Sequence, residues 1–371
     1  MRGIDRPTWA EIDLNNVAHN VRQLKAAIGA DCQLLAVVKA NAYGHGDIEV
    51  ATTALANGAS WLAVTMPEEG LRLRRAGIAA PILVLGGLIS SQLETCVAKD
   101  LVITVSQWDI AQALSNIAVR LRKNARVHIK IDTGMGRTGL PPEQGLKFIQ
   151  QVRNLPGIEV QGIFTHFATA DEPEGEYVKL QWQKFSWLLL ELKKAGIHIP
   201  IKHCANTAAT MLLPETHLDL VRVGLGLYGL YPSHHRPLEL KPALSLHSKV
   251  VEVKRVPAGT GVSYGYNYVT WRETTIATLP IGYADGMSRL LSNKAQVLIN
   301  SKRFPVVGKI TMDYCMVDVG DCAVQVGDRV TLIGSQGDQS ITVDQWADWL
   351  NTISYEITCM LTDRVHRVYL K

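Results

Sequence analysis

The chain has 371 residues, of which 47% are apolar and 19% charged, with a formal net charge of +4. That length can bury a large core and predicts about two globular domains. So small a net charge, with no basic stripe and no block of like charges, argues against a nucleic-acid partner. No uninterrupted apolar run approaches membrane-spanning length, and Met1–Pro7 lacks the apolar core and cleavage site of a secretory signal. A cytoplasmic protein with no membrane partner is expected. The six cysteines show no CxxC spacing and sit mostly among apolar residues, which predicts free thiols.

In chain order, Thr8–Leu14 is a short amphipathic segment, and Val17, Val21, Leu24 and Ile28 then follow helical spacing, with Asn15 or Asn16 as the cap. Strand-like apolar runs recur at Gln33–Lys39, Trp61–Met66, Pro81–Leu85, Leu101–Val105, Arg126–Asp132, Val160–Phe167, Lys202–Asn206 and Leu220–Leu227. Helices are predicted between them at Asp47–Ala56, Pro67–Ala76, Gln107–Arg122, Glu143–Arg153 and Glu176–Ala195. Near-continuously apolar strands alternating with amphipathic helices imply an α/β parallel sheet buried on both faces. Eight such units closing on themselves make a TIM-like (β/α)8 barrel, and a doubly wound open sheet is the alternative.

From about Lys241 the texture changes. Ser248–Val253, Thr274–Leu279, Gln296–Ile299, Met316–Val319 and Arg329–Ile333 read as short strands between Gly, Asp and Asn turns. One helix is predicted at Val343–Leu350, with Thr342 and Gln345 at the spacing of a capping box. The expected division is a barrel over residues 12–238 and a mostly β domain made of 1–11 and 239–371.

A barrel builds its active site from the carboxyl ends of its strands. Polar residues interrupt the apolar runs at those ends: Lys39 on the first, Lys130, Asp132 and Arg137 at or after the fifth, Thr165 and His166 on the sixth, Asn206 and Thr207 after the seventh, with Arg222 inside the eighth. A lysine leaving an apolar strand is partly desolvated, which lowers its pKa and frees its amine to attack a carbonyl. Its plain reading is a surface lysine at a strand end. The loops after the last two strands, Asn206-Thr207 and Gly224-Leu225, sit where such barrels often hold a phosphate. A phosphate there and a nucleophilic lysine across the mouth would together hold pyridoxal 5'-phosphate, with Tyr43 adding a hydrogen bond. Arg222 in a buried strand needs a partner, either the pyridine nitrogen or a structural ion pair with Asp219.

Gly134-Met135-Gly136-Arg137-Thr138-Gly139 matches G-x-G-x-x-G, and Glu159 follows at the distance of a ribose-binding acid, so a dinucleotide site competes. Leu140-Pro141-Pro142 delays the next helix, however, and Glu159 begins a strand instead of ending one. The glycines are better read as a tight loop presenting Arg137 to a carboxylate or a cofactor oxygen.

The segments Ala36–Gly46, Lys130–Arg137, Thr165–Phe167, Arg222–Gly224, Val262–Gly265, Pro280–Gly286 and Thr311–Asp313 resemble, in order and over nearly the whole chain, the alanine racemase family. The resemblance implies a pyridoxal-phosphate enzyme that interconverts L- and D-alanine through an aldimine, with Lys39 and Tyr264 as bases on opposite faces. It implies a head-to-tail homodimer in which Tyr264 comes from the second subunit, and His166 touching both Tyr264 and Arg222. Arg137 would hold the cofactor phenolic oxygen and the substrate carboxylate, and Met312 would offer that carboxylate its amide. Tyr43, Asn206, Thr207, Gly224, Leu225 and Tyr355 would bind the cofactor phosphate region. Lys130 matches a lysine that some members carry as a carbamate, its other reading being an amine paired with a carboxylate. Tyr283, Arg289, Lys309, Asp313 and Asp171 would line the entrance. Thr207, Thr311 and Lys309 depart from the commoner serine, cysteine and arginine, which leaves serine or a broader substrate range open. A fold-related decarboxylase, a cofactor carrier and a nicotinamide dehydrogenase are the other readings. Supply of D-alanine to peptidoglycan is the commoner family role.

Overall fold

The computed structural model describes residues 6–172 and 175–371, so expectations placed on residues 1–5 lie outside it. The chain divides into two compact units. One comprises Asn16–Ala42 and Asp47–Lys241; the other comprises the residues up to Asn15, Tyr43–Gly46 and Pro242–Lys371.

The first strand, β1 (Thr8–Asp13), belongs to the second of these units. The first unit holds β2 (Gln33–Val37), β3 (Trp61–Val64), β4 (Ile82–Val84), β5 (Val102–Val105), β6 (Ala125–Lys130), β7 (Ile158–Phe164), β8 (Ile201–His203) and β9 (Leu220–Val223). All pair in parallel in the order β8-β7-β6-β5-β4-β3-β2-β9. Backbone bonds from Asp219 N to Lys202 O (3.1 Å) and from Arg222 N to Ala205 O (3.0 Å) join the two ends of that order. The sheet is therefore a TIM-like barrel, and the open-sheet alternative is overturned. The strands β3, β4, β5 and β9 are buried along their whole length and β2 from Leu34 on, whereas β7 has exposed Glu159 at its start and is buried only from Gly162 to Phe164.

The eight predicted strands are present, but several end two to four residues earlier than expected. Lys39, Asp132, Thr165–Phe167 and Asn206 lie beyond the ladders, because their polar groups turn out of the sheet to form the loops at its carboxyl end. The opening helix begins at Leu14, where Asp13 Oδ1 accepts from Asn15 N (2.9 Å), so Asp13 caps it instead of Asn15 or Asn16. Two short helices, Ser90–Ala98 and Thr207–Leu212, carried too little periodicity to be predicted. Within β7, Gly162 leaves room for the His128 ring of β6, next to a register shift between Val127 and His128.

The second unit contains β10 (Leu244–Lys249), β11 (Glu252–Val256), β12 (Thr274–Leu279), β13 (Gln296–Ile299), β14 (Lys302–Val307), β15 (Cys315–Gly320), β16 (Arg329–Gln336), β17 (Gln339–Ile341) and β18 (His366–Leu370). The order is β11-β12-β15-β14-β13-β16-β10-β1-β18, with β17 on β16. Because Ile12 and Asp13 pair with Tyr369 and Leu370, the expected cut before residue 12 falls after Asn15, and the one after residue 238 falls after Lys241. Tyr43–Gly46 also belong here, where Gly44 O accepts from Arg367 Nε (3.1 Å). Gly44 is required: its φ is 84°, and a Cβ would strike the Thr358 carbonyl.

The single strand expected at Ser248–Val253 is two, broken where Val250 N turns to Asp328 O and Val251 N to Thr278 O. The helix Val343–Leu350 is as predicted, with Thr342 and Gln345 bonded reciprocally at 3.1 Å.

Replacing Gly162 with Ala would set a methyl 2.5 Å from the buried His128 ring, which has no room to retreat. Gly162→Ala is expected to destabilise the protein by about 1–3 kcal/mol, read as a lower denaturant midpoint. An unchanged midpoint would show that the strand relaxes freely there.

Candidate active site

The platform for Lys39 is built from strain that its surroundings hold in place. Beyond β2, Ala40, Asn41, Ala42 and Tyr43 have φ of 51°, 53°, 52° and 53°, a left-handed turn closed by Ala42 N donating to Val38 O (2.9 Å). Each such non-glycine residue costs roughly 1–2 kcal/mol, so the turn persists only where neighbours over-determine it. Val38 N donates to Ala63 O (2.9 Å), the Tyr228 hydroxyl to Val37 O (2.9 Å), and Ala40 N to Glu69 Oε1 (2.6 Å). Lys39 thus starts a turn where a strand residue was expected, and it is half-buried.

Arg222 lies inside the barrel, 4% exposed. Its Nη2 donates to Thr165 O (2.9 Å), Cys204 O (3.1 Å) and His166 Nδ1 (3.0 Å), and its Nη1 to His203 Nδ1 (3.0 Å). The expected alternative, an ion pair with Asp219, is overturned: Asp219 accepts from Lys202 N (2.8 Å) and pairs with Lys202 Nζ (2.7 Å). Among the described residues no acceptor meets the Nε–H of Arg222. Burial lowers its pKa to about 10, so it stays charged near neutral pH.

A guanidinium only donates, so both imidazoles must receive it on a bare Nδ1 and carry hydrogen on Nε2. His203 passes that hydrogen to His128 Nδ1 (2.8 Å) and stacks on Phe164 at 4.7 Å. Burial and then Arg222 push His166 and His203 well below the usual imidazole range, and His128 down to about 3. All three are neutral.

Lys130, buried and 5.5 Å above the Phe164 ring, makes no ion pair among the described residues. Burial, Arg137 and Arg222 lower its pKa to about 8, against the opposing pull of Asp132. Asp132 instead gathers the glycine loop, accepting from Gly134 N (2.9 Å) and Gly136 N (3.0 Å). These glycines wrap a carboxylate, no helix begins until Pro142, and Glu159 stands exposed at the start of β7, so the dinucleotide reading fails.

Asn206 Oδ1 caps Thr207–Leu212 through Ala209 N (3.0 Å), and Thr207 Oγ1 accepts from Gly224 N (3.0 Å). The Gly224 amide, expected to face a phosphate, is therefore already used by Thr207. Leu225 opens a short 3-10 turn, whose first N–H groups have no partner within the turn.

In the second unit, Tyr43 and Tyr355 lie with ring centroids 6.1 Å apart, and burial raises the Tyr43 pKa. Tyr264 sits 72% exposed on a turn where Ser263 and Gly265 have φ of 65° and 75°. Ser263 Oγ donates to Lys309 O (2.6 Å), which ties that turn to the backbone at Lys309. Met312 is held by a neighbouring turn, Tyr283 N donating to Thr311 O (3.0 Å) and Ala284 N to Met312 O (3.1 Å). The Met312 N–H itself meets no acceptor among the described residues. Buried Asp285 organises this clamp, accepting from Gly282 N (2.9 Å) and from both ends of the Arg6 guanidinium (2.6 and 2.8 Å). Arg364 pairs with both Asp285 (3.2 Å) and Asp313 (2.6 Å). Arg289 is exposed in a short turn of this unit, and Asp171 is exposed in the first unit, on the loop after β7.

The barrel unit thus gathers Lys39, Lys130, Arg137, His166 and Arg222 into one electrostatic cluster. His128, His203, Glu69 and Asp285 are not among the residues expected from the sequence. A signal existed for His128, which shares the alternation of Lys130 along β6. Glu69 and Asp285 look like ordinary surface acids until the fold brings backbone amides to them.

The family models for the alanine racemase N-terminal and C-terminal domains match residues 12–232 and 243–369. The alanine racemase of Methanococcus maripaludis is 46% identical over 99% of this chain and 100% of its own. A crystal structure of alanine racemase from Bacillus anthracis with bound L-Ala-P superposes with a TM-score of 0.95 at 41% identity, covering 100% of this chain and 96% of that one. A histidine racemase from Leuconostoc mesenteroides subsp. sake superposes with a TM-score of 0.92 at 32% identity, covering 100% and 99%. With both domains matched in order and the barrel built as these relatives build it, the chain belongs to the alanine racemase family.

Proposed function

We propose that this racemase interconverts L- and D-alanine with pyridoxal 5'-phosphate as its cofactor. Arg222 carries the reading. Its unmet Nε–H, in a pocket whose two imidazoles are neutral, fits a pyridine nitrogen and would keep it unprotonated. An unprotonated ring is a weak electron sink, which suits return of a proton to Cα and disfavours decarboxylation. The residues fit the group elsewhere too: Lys39 offers an amine, and the cations Lys39, Lys130, Arg137 and Arg222 suit an anionic cofactor. Tyr43, Tyr355, Thr207 and the Leu225 amide would hold the phosphate, with Asn206 and Gly224 shaping its loops.

When bound, pyridoxal phosphate draws electrons from Cα of the joined amino acid and so acidifies the Cα–H. Lys39 Nζ takes or returns that proton on one face, and Tyr264 Oη does so on the other. L-alanine loses its proton to Tyr264 and gains one from Lys39; D-alanine follows the reverse course. His166, with hydrogen on Nε2, would bridge Tyr264 to Arg222. Arg137 and the unpaired Met312 amide would hold the substrate carboxylate.

The exposure of Tyr264 on its own unit, alongside exposed Tyr266 and Trp271, supports a head-to-tail homodimer in which it serves the partner's site. No helix among the described residues is long and apolar enough to cross a membrane, which is compatible with a cytoplasmic enzyme supplying D-alanine for peptidoglycan. Substrate range is set at the entrance, by Tyr283, Arg289, Lys309, Asp313 and Asp171 with Thr311 nearby. The likeness to a histidine racemase supports a wider range as the second reading. A carbamate on Lys130 would place a negative charge beside Arg137 and orient it.

Lys39→Ala is expected to abolish racemisation in both directions and the visible absorbance of bound cofactor. Tyr264→Phe should keep that absorbance and lose Cα-proton exchange from L-alanine by about 10²–10⁴-fold. Normal racemisation by Tyr264→Phe would defeat the two-base assignment.

Only the neutral amine of Lys130 can attack carbon dioxide, so carbamate formation should rise as pH climbs through about 8. Carbon-13 bicarbonate should then label the protein but not Lys130→Ala, as seen by NMR; an unlabelled natural protein at alkaline pH removes the carbamate.

Assayed on a panel of L-amino acids, the enzyme should form D-alanine fastest. D-serine or D-histidine appearing at a comparable rate would favour the broad-range reading.

A further inference from the structure

We infer that Glu69 is a positioning residue for Lys39, its carboxylate holding the left-handed turn that aims the lysine amine; this rests on the proposed role of Lys39. Glu69 lies in the first turn of the helix Pro67–Arg75, which follows β3, the neighbour of the lysine strand. Its Oε1 accepts from Ala40 N at 2.6 Å, and its Oε2 accepts from Thr65 N at 2.8 Å and Met66 N at 3.0 Å. One carboxylate therefore fastens the first strained residue after Lys39 to the end of the adjacent strand.

The same helix grips the far side of the turn. Arg72, three residues on, donates from Nε to Asp47 Oδ2 (2.6 Å), and Asp47 N donates to Asn41 Oδ1 (3.1 Å). Of these ties, only the Glu69 bond reaches the residue next to Lys39. Without it, Ala40 can relax towards negative φ and rotate the peptide that carries the lysine.

Glutamine is the informative replacement, because it keeps the shape of glutamate but offers one acceptor where the carboxylate offers two. Either the Ala40 N–H or the Thr65 and Met66 pair would then face an N–H. Glycine at position 40 adopts positive φ without penalty, so Ala40→Gly should restore the turn in the absence of the carboxylate.

The test compares the natural holoenzyme with Glu69→Gln and with Glu69→Gln combined with Ala40→Gly. Enantiomers have equal free energy, so kcat/KM must fall equally in both directions, by about 10–100-fold if the lysine is displaced. Deuterium at Cα then separates the steps. The isotope effect should rise for D-alanine, whose proton Lys39 removes, and fall for L-alanine, whose proton Tyr264 removes. In the cofactor-free protein, amide exchange across Val38–Tyr43 should accelerate at least about tenfold in Glu69→Gln. The double variant should recover both the rate and the isotope effects.

Overturning results are equally definite. Rate and exchange unchanged in Glu69→Gln would deny the role, and so would a lower kcat with both isotope effects unmoved, which is the mark of a smaller folded fraction. If Glu69→Gln does not accumulate as folded protein, Glu69→Asp, which draws the carboxylate back from Ala40, is measured against the same isotope criteria. A natural protein that fails to racemise any amino acid defeats the proposed function instead, and the exchange comparison still decides whether Glu69 holds the turn.

Discussion

A guanidinium that cannot practically release its proton is enclosed in the barrel at Arg222, and much of the mouth is arranged to accept from it. Two carbonyls, Thr165 and Cys204, turn inward at the ends of β7 and β8, and two imidazoles present a bare Nδ1. Those acceptors fix the tautomers of His166 and His203, and His203 in turn fixes His128. The Nε2 of His128 is buried with no hydrogen-bond partner among the described residues, and Gly162 yields the space for the ring. One immovable charge thus orients three imidazoles, on β6, on β8 and just beyond β7.

The neighbourhood of that charge is more cationic than a folded protein tolerates without some gain. Lys39, Lys130, Arg137 and Arg222 all bear on His166, and their mutual repulsion with burial brings Lys130 down towards neutrality. Asp132 offsets little of this, since its carboxylate is occupied by the amides of the glycine loop. Such a concentration of cations is electrostatically suited to an anion.

Backbone geometry is handled in the same way in both units. A strained turn carries Lys39 and a close approach of two turns holds Met312, and a single carboxylate secures each. Glu69 collects three amides beneath the Lys39 turn, and Asp285 collects an amide and two guanidinium groups beneath the Met312 clamp. In both cases the carboxylate accepts from backbone amides. Its effect is to make a backbone conformation rigid that would otherwise relax, which is how a site keeps sub-ångström geometry at its reacting centre.

The sequence by itself determined the eight parallel βα units, the mostly β second unit and most of the polar residues at the strand ends, because each rests on a local pattern, whereas closure of the eight strands into a barrel rests on the tertiary bonds between β8 and β9. Eight apolar runs separated by amphipathic helices permit few packings, and a polar residue at the carboxyl end of a buried strand stands out against its neighbours. Spacing alone also found the capping box at Thr342 and Gln345. Only the tertiary structure decided the partner of Arg222, since Asp219 is three residues away in sequence yet bonds Lys202 on the adjoining strand. Likewise it alone decided that Gly224 is spent on Thr207, that the glycine loop encloses Asp132, and that Ile12 and Asp13 pair with the far end of the chain. These are contacts between residues distant in sequence, or choices among several nearby acceptors. Their energies depend on which atoms the closed sheet brings within hydrogen-bond reach, and no local periodicity encodes that.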